Sequence, residues 1–533
     1  MLAVNRLLPG FKNMTPQAPV VPVIDLFAGP GGLGEGFSAA EVPGVLARFE
    51  VRLSIEKDPI AHETLFLRSF FRRFPHGQAP SEYYDFLMGR LRLEDLLSRY
   101  PEQARAAEEA AWLAELGPTP HSEIDTRVRK ATADASAWVL VGGPPCQAYS
   151  IIGRSRVGGI KDSDSRVYLY QEYLRILATH RPPVFVMENV KGLLSARIQD
   201  KLLFSQILHD LQDPASASST DKATNDNPGV PSQYTIFSLV NEQKAPWHAD
   251  LDAVNPLEFV IRSEDYGIPQ RRHRVILLGV RADLEPVAPK VLGRSRRVSA
   301  LRVLEGLPRL RSGLSKEADS AGSWKKAVCQ VLNSGWLTEM RDIPEKDVAD
   351  RIRTAVEGLG VPWAGRGGEF IGRVPSVAYR RDWFLDPHLP GVCNHATRGH
   401  IIGDLHRYLF VACFGKALKR SPDLADLPKP LLPAHKNAAQ PTGETCFADR
   451  FRVQLSGRPA TTVTSHISKD GHYYIHYDPR QCRSLTVREA ARLQTFPDNY
   501  FFAGPRTAQY VQVGNAVPPL STARCFGRAA LAA

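Results

Sequence analysis

The feature that most constrains the fold is a short apolar run that ends in a stiff loop. Residues 138–141 read Trp-Val-Leu-Val, a length and composition typical of a buried β-strand. Two glycines then permit a tight turn, and Pro144 and Pro145 fix two φ angles just before Cys146. A side chain on such a loop lies where open α/β sheets place their ligands. Cys146 is therefore either a reactive group in a binding crevice or a small buried side chain.

A second strand-and-glycine pattern occurs near the start of the chain. Val20–Leu26 is apolar, and residues 27–34 read Phe-Ala-Gly-Pro-Gly-Gly-Leu-Gly. The order of strand, glycine turn and helix start lets a backbone approach a nucleotide-type ligand closely at a helix N-terminus. The glycines do not follow the usual register of the dinucleotide motif, so pyrophosphate binding is not favoured. An ordinary glycine-rich turn is the alternative interpretation.

Carboxylates follow two further predicted strands. The strand that begins at Val51 ends at Glu56, and an acidic residue about 20 positions after a glycine loop commonly binds ribose hydroxyls. Residues 182–187 form another apolar run, which delivers Glu188. A carboxylate in that place is costly unless it has a partner or a function. The alternatives are a solvated strand end for Glu56 and a structural pair with an arginine for Glu188.

Arginines precede the last apolar run of this kind. Residues 270–274 read Gln-Arg-Arg-His-Arg and lie between a Gly-Ile-Pro turn and the predicted strand Val275–Val280. This position predicts that the arginines reach into the same crevice at the strand ends.

Charge and cysteine usage narrow the class of protein. The net charge of +11 suits a polyanionic partner such as nucleic acid, although a basic soluble protein would show the same value. The 7 cysteines include no Cys-x-x-Cys pair, which argues against a zinc site or a disulfide scaffold. His395 and His400 do not complete a four-ligand set with Cys393, so no metal is predicted. No run of about 18 apolar residues occurs, and a reducing, cytoplasmic setting is expected.

Five short motifs give the chain its most specific signature, and through them it resembles the bacterial cytosine-5 DNA methyltransferase family. Each motif alone is weak, but the five occur in the family's order and spread over nearly the whole chain. They are residues 25–32 (DLFAGPGG), 143–147 (GPPCQ), 188–190 (ENV), 270–274 (QRRHR) and 514–518 (GNAVP).

The resemblance implies a fold and a cofactor. The fold is α/β, a Rossmann-like S-adenosylmethionine-dependent methyltransferase fold with a mostly parallel sheet, plus a smaller irregular target-recognition domain. The third family motif, an acidic residue near the adenine amino group, is poorly preserved; Glu123-Ile124 is the match and Asp125 the competitor. The residues expected to bind S-adenosylmethionine are Phe27, Ala28, Gly29, Gly32, Leu33, Glu56, Lys57, Glu123, Ile124, Pro145, Leu169, Asn515 and Val517.

The resemblance also implies roles for four catalytic residues. Carbon 5 of cytosine is a poor nucleophile, so the Cys146 thiolate is expected to add at carbon 6 and push electrons into the ring. Glu188 would donate to N3, while Arg272 and Arg274 would stabilise the adduct. The cytosine must first be flipped out of the duplex.

The motif order divides the chain into a catalytic domain built from both chain ends and a domain between them. The region between is rich in arginine and aromatic residues and lacks strand–helix alternation. The predicted parts are an N-terminal tail (1–20), a first catalytic part (21–281) with a helical insertion at about 66–117, a target-recognition domain (282–457) and a returning catalytic part (458–533).

The predicted activity is methylation of carbon 5 of cytosine in a specific double-stranded DNA sequence by a monomer. The enzyme is expected in the cytoplasm, associated with the nucleoid, within a restriction-modification or other defence system or acting alone. An RNA-directed relative and a DNA-binding module without activity are the alternatives. The large region 282–457 favours duplex DNA over RNA, and the intact catalytic set favours an enzyme.

Overall fold

The structure is a computed structural model. It describes residues 19–40, 48–144, 165–198, 201–218, 231–242, 244–245, 254–284, 289–342, 344–433 and 449–523.

The strands of the described part of the chain are mostly short. In chain order they are β1 Val20–Leu26, β2 Arg48–Glu56, β3 Ala111–Leu113, β4 Val139–Gly142, β5 Val184–Val190, β6 Arg197–Ile198, β7 Lys201–Leu202, β8 Tyr234–Phe237, β9 Lys244–Ala245, β10 Val260–Arg262, β11 Gln270–Arg271, β12 His273–Arg281, β13 Gly313–Leu314, β14 Gly367–Ile371, β15 Val392–Ala396, β16 Gly399–His400 and β17 Ala460–Thr461.

A mostly parallel sheet organises the molecule. Its strand order among the described residues is β3-β2-β1-β4-β5-β12-β8-β9, with β10 paired to β12. The first five strands of this order run parallel, and β12 is antiparallel to β5. The strand order reverses between β1 and β4, and ligands of open α/β sheets bind in the crevice at such a reversal. The α/β fold predicted from the sequence is thereby confirmed.

Both faces of the sheet are covered by apolar side chains. Leu140 packs into one hydrophobic cluster, whereas its neighbours Val139 and Val141 pack into another on the opposite face. Burial on both faces is typical of parallel sheets and explains why these strands read as continuous apolar runs. The predicted strand at 138–141 is observed one residue later, and the strand predicted at 182–187 begins at Val184.

Helices pack on both faces of the sheet and also occur in the region between residues 282 and 457. In chain order they are α1 Gly32–Ser38, α2 Pro59–Phe71, α3 Ser81–Leu87, α4 Leu93–Arg99, α5 Pro101–Ala110, α6 His121–Thr132, α7 Ser165–His180, α8 Leu203–Gln212, α9 Pro214–Ala217, α10 Leu301–Leu304, α11 Ala321–Cys329, α12 Gly335–Glu339, α13 Glu345–Glu357, α14 Arg381–Phe384, α15 Ile402–Leu418, α16 Val487–Leu493 and α17 Arg506–Asn515.

The insertion predicted at about 66–117 is helical, but its last part is not. Helices α3 to α5 pack in one hydrophobic cluster with Leu389 and Cys393 of the region between the catalytic parts. Residues 111–113 form strand β3, which pairs in parallel with β2 and so belongs to the central sheet. The alanine- and glutamate-rich composition of residues 104–116 hid this strand, because such residues favour helices.

A separate core lies outside the sheet. It consists mainly of apolar side chains from α11, α13 and α15, and it also takes in Phe451, Ile475 and Cys482. A third cluster joins Val303 and Val392 to helix α16 and to residues near the C-terminus. The predicted boundaries at 282 and 457 remain a prediction, and apolar clusters extend across both ends of the intervening region.

The end of the chain returns to the first glycine loop. A Cβ atom on Gly32 would lie 2.3 Å from the Val517 carbonyl oxygen, and one on Gly36 would lie 2.3 Å from Cβ of Thr522. Only glycine permits this approach of two backbones. Before this return, Thr486 and Glu489 form a capping box at the start of α16.

Candidate active site

The loop after β1 has an unusual backbone. Phe27, Gly29 and Gly31 have φ values of 56°, 57° and 92°. The left-handed region is rare for a residue such as Phe27, and such conformations cluster at functional sites. A Cβ atom on Gly29 would have no heavy atom of the described residues within 4 Å, so the loop faces open space in this part of the structure. Half-buried Phe27 and buried Ala28 lie beside this opening.

Glu56 closes the loop from the neighbouring strand. Its carboxylate accepts hydrogen bonds of 2.7 Å from the backbone N–H of Gly29 and from that of Asp58. The side chain remains half-exposed. The structure therefore brings the predicted ribose-binding carboxylate to the predicted glycine loop.

The predicted third motif does not lie at a strand end. Glu123 is exposed in the first turn of helix α6, and Ile124 is buried in the core of the sheet. Glu115 lies two residues after the end of β3 and accepts a 2.9 Å hydrogen bond from exposed Lys57. The Ala114 N–H also donates to the Glu56 carbonyl, which sets this segment beside the end of β2.

Glu115 is an acidic residue at this edge that the sequence analysis did not single out, and the roles of Glu123 and Ile124 stay predictions. The carboxyl ends of parallel strands lie at one edge of a sheet, so Glu115 shares the edge of Glu56 and the glycine loop. The signal that could have found it is the apolar Ala-Trp-Leu run at 111–113, which lies within a stretch of helical composition.

The other predicted cofactor residues lie in three places. Leu33 is buried, and half-buried Val517 packs against the same cluster. Asn515 is exposed at the end of α17. Leu169 is half-buried on α7. Pro145 and Cys146 lie outside the described residues, directly after Pro144 in the sequence.

Hydrogen bonds to helix α1 and to the glycine loop itself hold this segment in place. Buried Glu35 accepts hydrogen bonds from Arg68 at 2.5 Å and from Arg72 at 2.6 Å. Although burial alone would raise it, the pKa of Glu35 falls to about 2 because of these two guanidinium groups. The Tyr500 hydroxyl donates to the Pro30 carbonyl of the loop itself.

A buried acid lies just before the loop. Asp25 of β1 is fully buried, and its carboxyl oxygens form no hydrogen bond of standard geometry with a described residue. Burial has the largest effect on its pKa, and the backbone N–H of Gly34 opposes that effect only in part. Burial raises the pKa of Asp25 to about 7. Its charge therefore changes near neutral pH.

Glu188 and Arg274 form an ion pair at the crevice. Arg274 Nε lies 2.8 Å from Glu188 Oε1, and both side chains are largely buried. Strand pairing explains the meeting, because antiparallel β12 sets Arg274 opposite Val190 at the carboxyl end of β5. A Cβ atom on Gly143 would lie 3.2 Å from Glu188 Oε2, so the loop after β4 begins against this carboxylate.

Arg272 points elsewhere. Its guanidinium is buried and donates to the backbone carbonyls of Val463 at 2.8 Å, Gly514 at 3.3 Å and Asn515 at 3.5 Å. The sequence predicted that it would stabilise the reacting base beside Arg274. The structure shows its contacts with the returning end of the chain, and its role toward the base stays a prediction.

Arginines also line a cavity of about 310 Å³ between β11, the segment before β17 and the end of α15. Arg420 and Arg452 are paired there with Asp426 and Asp449. Arg271 and Arg458 are exposed, and their side chains form no ion pair with the rest of the described chain. The described residues that line the cavity, which include Asp423 and Asp449, therefore carry a net positive charge.

Both histidines considered as metal ligands are buried, and the protein engages both ring nitrogens of His395, whereas Nε2 of His400 has no partner among the described residues. The two ring nitrogens of His395 lie 2.8 Å from Thr486 Oγ1 and 2.9 Å from the Pro308 carbonyl. Burial lowers the pKa of His395 to about 4. No His, Cys, Asp or Glu cluster suited to a metal ion occurs within the described ranges, and no helix there is long and apolar enough to cross a membrane.

Known proteins align with most of the chain. The profile of the C-5 cytosine-specific DNA methylase family matches residues 110–214 and 418–528. A type II methyltransferase of Bacillus paralicheniformis is 32% identical over 528 residues, which cover 93% of this chain and 96% of the relative. One of Desulfomicrobium norvegicum is 24% identical over 93% of this chain and 86% of its own. A DNA (cytosine-5-)-methyltransferase of Aeropyrum pernix is 27% identical over 73% of this chain and 80% of its own.

Proposed function

The chain belongs to the C-5 cytosine-specific DNA methylase family and is a DNA (cytosine-5-)-methyltransferase. From this premise we propose that it methylates a cytosine that is flipped out of a specific DNA sequence, with S-adenosylmethionine as methyl donor. The observation that carries the proposal is the Glu188–Arg274 pair beside Gly143. This pair lies at the sheet edge that also holds the glycine loop and Glu56.

The residues at this edge fit S-adenosylmethionine. The open space at Gly29 leaves room for a ligand against the backbone, and half-exposed Glu56 is held at its border by two backbone N–H groups. Phe27 would pack near the adenine, Glu56 would bind the ribose, and Asn515 with Val517 would flank the methionine end. Glu115 replaces Glu123 in our proposal as the acid near the adenine amino group. When bound, the cofactor supplies an electrophilic methyl group that activated carbon 5 of the cytosine takes up.

Cys146 is proposed as the nucleophile. Its thiolate forms a bond to carbon 6 of the cytosine, and the electron pair of the ring double bond moves toward carbon 5 and the N3 side. After methylation a base removes the proton from carbon 5. The electron pair of that bond restores the double bond and expels Cys146 as thiolate. Carbon 6 of a paired base is covered by stacking, so the cytosine must leave the duplex at a cost of a few kcal/mol.

Glu188 and Arg274 would act on the polar edge of the same ring. In its protonated form Glu188 would donate a proton toward N3 as negative charge develops there, and its other oxygen would accept from the exocyclic amino group. Arg274 is already held next to this carboxylate, so its charge needs no rearrangement to stabilise the adduct. Burial of the pair strengthens both interactions relative to water.

DNA would enter along the arginine-lined cavity. Exposed Arg271 lies one residue before Arg272 and three before Arg274, so positive charge extends outward from the crevice along the same chain segment. The free guanidinium groups of Arg271 and Arg458 suit backbone phosphates, which position a duplex without reading its sequence. Side chains of the region 282–457 would read the base edges.

The test is methyl transfer from radiolabelled S-adenosylmethionine to DNA and, in parallel, to RNA. We expect label in 5-methylcytosine of duplex DNA, and sequencing of modified cytosines in cells expressing the protein would identify the target site. Label in RNA alone would favour the RNA-directed alternative. Cofactor binding without label in either nucleic acid would favour a binding module. Action as a monomer within a restriction-modification or other defence system is part of the same proposal.

A further inference from the structure

The end of helix α17 is capped by side chains from two distant elements. The last four carbonyls of an α-helix have no partner within the helix, and a buried end needs other donors. The Gln512 carbonyl accepts from the Ala516 N–H at 3.1 Å. Gln494 Nε2 donates to Val513 at 2.6 Å, and Arg272 donates to Gly514 and Asn515. All four carbonyls are thereby satisfied.

Arg272 also joins this helix end to a second segment. Its shortest hydrogen bond, 2.8 Å, goes to the Val463 carbonyl. A Cβ atom on Gly514 would lie 2.2 Å from the Ser465 nitrogen, so the helix end is pressed against the residues that follow Val463. A guanidinium is suited to this position, because it offers several donors in one plane and its charge is favoured at a helix C-terminus.

The capped helix end determines where the next residues lie. The chain continues from Asn515 to Val517, whose carbonyl occupies the space that a Cβ atom on Gly32 would need. Movement of the helix end would therefore move Val517 away from the glycine loop. The position of residues 515–517, which are predicted to face the cofactor, therefore depends on Arg272, which contacts the end of the helix.

We propose that Arg272 is a positioning residue for the cofactor site: it caps α17 and holds residues 515–517 against the glycine loop, rather than acting on the cytosine. The inference rests on the proposed function for the identity of the cofactor. The competing role is catalytic, since Arg272 Nε has no hydrogen-bond partner among the described residues and could serve a substrate. The two roles affect different measurements.

The experiment compares Arg272→Lys with Arg274→Lys, a matched change two residues along the same segment. Calorimetry gives the dissociation constant of S-adenosylmethionine without DNA, hydrogen exchange reports on amides 513–517, and single-turnover methylation is measured over a range of cofactor concentrations. For Arg272→Lys we expect cofactor binding at least about tenfold weaker, faster exchange, and a methylation loss that is largely overcome by more cofactor. For Arg274→Lys we expect a slow chemical step at every cofactor concentration and an unchanged dissociation constant.

An Arg272→Lys protein with wild-type cofactor affinity and wild-type exchange, but with a slow chemical step, would overturn the proposal. Gln494→Ala provides an independent variant should Arg272→Lys fail to fold. It removes the cap on Val513 from another element and is expected to weaken cofactor binding in the same way, so unchanged affinity in that variant would contradict the proposal. Absence of cofactor binding by the wild-type protein would instead contradict the proposed function.

Discussion

Two neighbouring arginines with the same motif assignment have different surroundings. Arg274 pairs with Glu188 at the crevice, whereas Arg272 binds three backbone carbonyls. The sequence placed both near the reaction because they lie two positions apart before one strand. It could not separate them, because the partners of Arg272 lie about 190 and 240 positions further along the chain.

The first prediction concerns Glu188→Gln. We expect the single-turnover rate of methylation to fall about 10²–10⁴-fold, because an amide cannot supply the proton toward N3. The dissociation constant of S-adenosylmethionine should stay unchanged, since Glu188 has no predicted contact with the cofactor. Glu264→Gln is the control, a buried carboxyl that contacts His273 at 3.0 Å. A change confined to cofactor affinity in Glu188→Gln would show that its role is wrongly assigned.

The second prediction concerns the pH dependence of stability. The pKa of Asp25 is about 7 in the folded protein, above its ordinary value of 3.8. The stabilisation of its protonated form is therefore present below about pH 4 and lost as the pH rises through 7. The free energy of unfolding of the wild type, relative to Asp25→Asn, should fall by about 2 kcal/mol between about pH 5.5 and 8. If denaturant titrations show that the difference in free energy of unfolding between the two proteins does not change over this pH range, Asp25 does not ionise within it.

The elements that sequence patterns predicted best are the buried strands. Strands β1, β4, β5 and β12 are apolar on both faces, so the run of apolar residues marks them directly. Strand β3 was missed because it is short, lies at the sheet edge and follows helix α5 without a break. Glu115, two residues after this strand, was therefore not considered for the role that the sequence analysis assigned to Glu123.

The approach of two backbones at Gly32 gives a prediction at this scale. In Gly32→Ala the new methyl group would meet the Val517 carbonyl, so we expect a loss of about 1–3 kcal/mol in stability together with weaker cofactor binding. Gly335→Ala is the control, because a Cβ atom there meets nothing within 4 Å. Thermal unfolding and calorimetry measure the two effects. Equal behaviour of the two variants would contradict the contact between the chain end and the loop.

At the scale of the whole molecule, one sheet edge collects residues from both ends of the chain. The order of the five motifs predicted this return. Only the net charge of the chain could be predicted, because the sequence does not show which arginines form ion pairs. The structure leaves Arg271 and Arg458 without an ion pair in the described part of the chain, at the rim of a cavity that Arg420 and Arg452 share with acidic partners.

This distribution predicts the salt dependence of DNA binding. Arg271→Ala and Arg458→Ala should each weaken binding to specific and non-specific duplexes alike, and each should reduce the slope of log K against log salt by about 1. Arg92→Ala is the control, a 76% exposed arginine of the helical insertion that does not line the cavity. Fluorescence anisotropy over a salt series measures the slopes. Unchanged slopes in both variants would show that the DNA backbone does not contact the arginines of this cavity.

The account as a whole depends on a temporary bond between Cys146 and the target cytosine. The most direct measurement uses duplex DNA with 5-fluorocytosine at the methylated position, incubated with protein and S-adenosylmethionine and analysed by mass spectrometry. Fluorine replaces the hydrogen that a base would remove from carbon 5 as a proton, so the elimination step that releases Cys146 cannot occur. We therefore expect a stable protein–DNA adduct on the peptide that contains Cys146, and none with Cys146→Ser. Failure of the wild type to form this adduct, or full methylation of ordinary DNA by Cys146→Ser, would contradict the account.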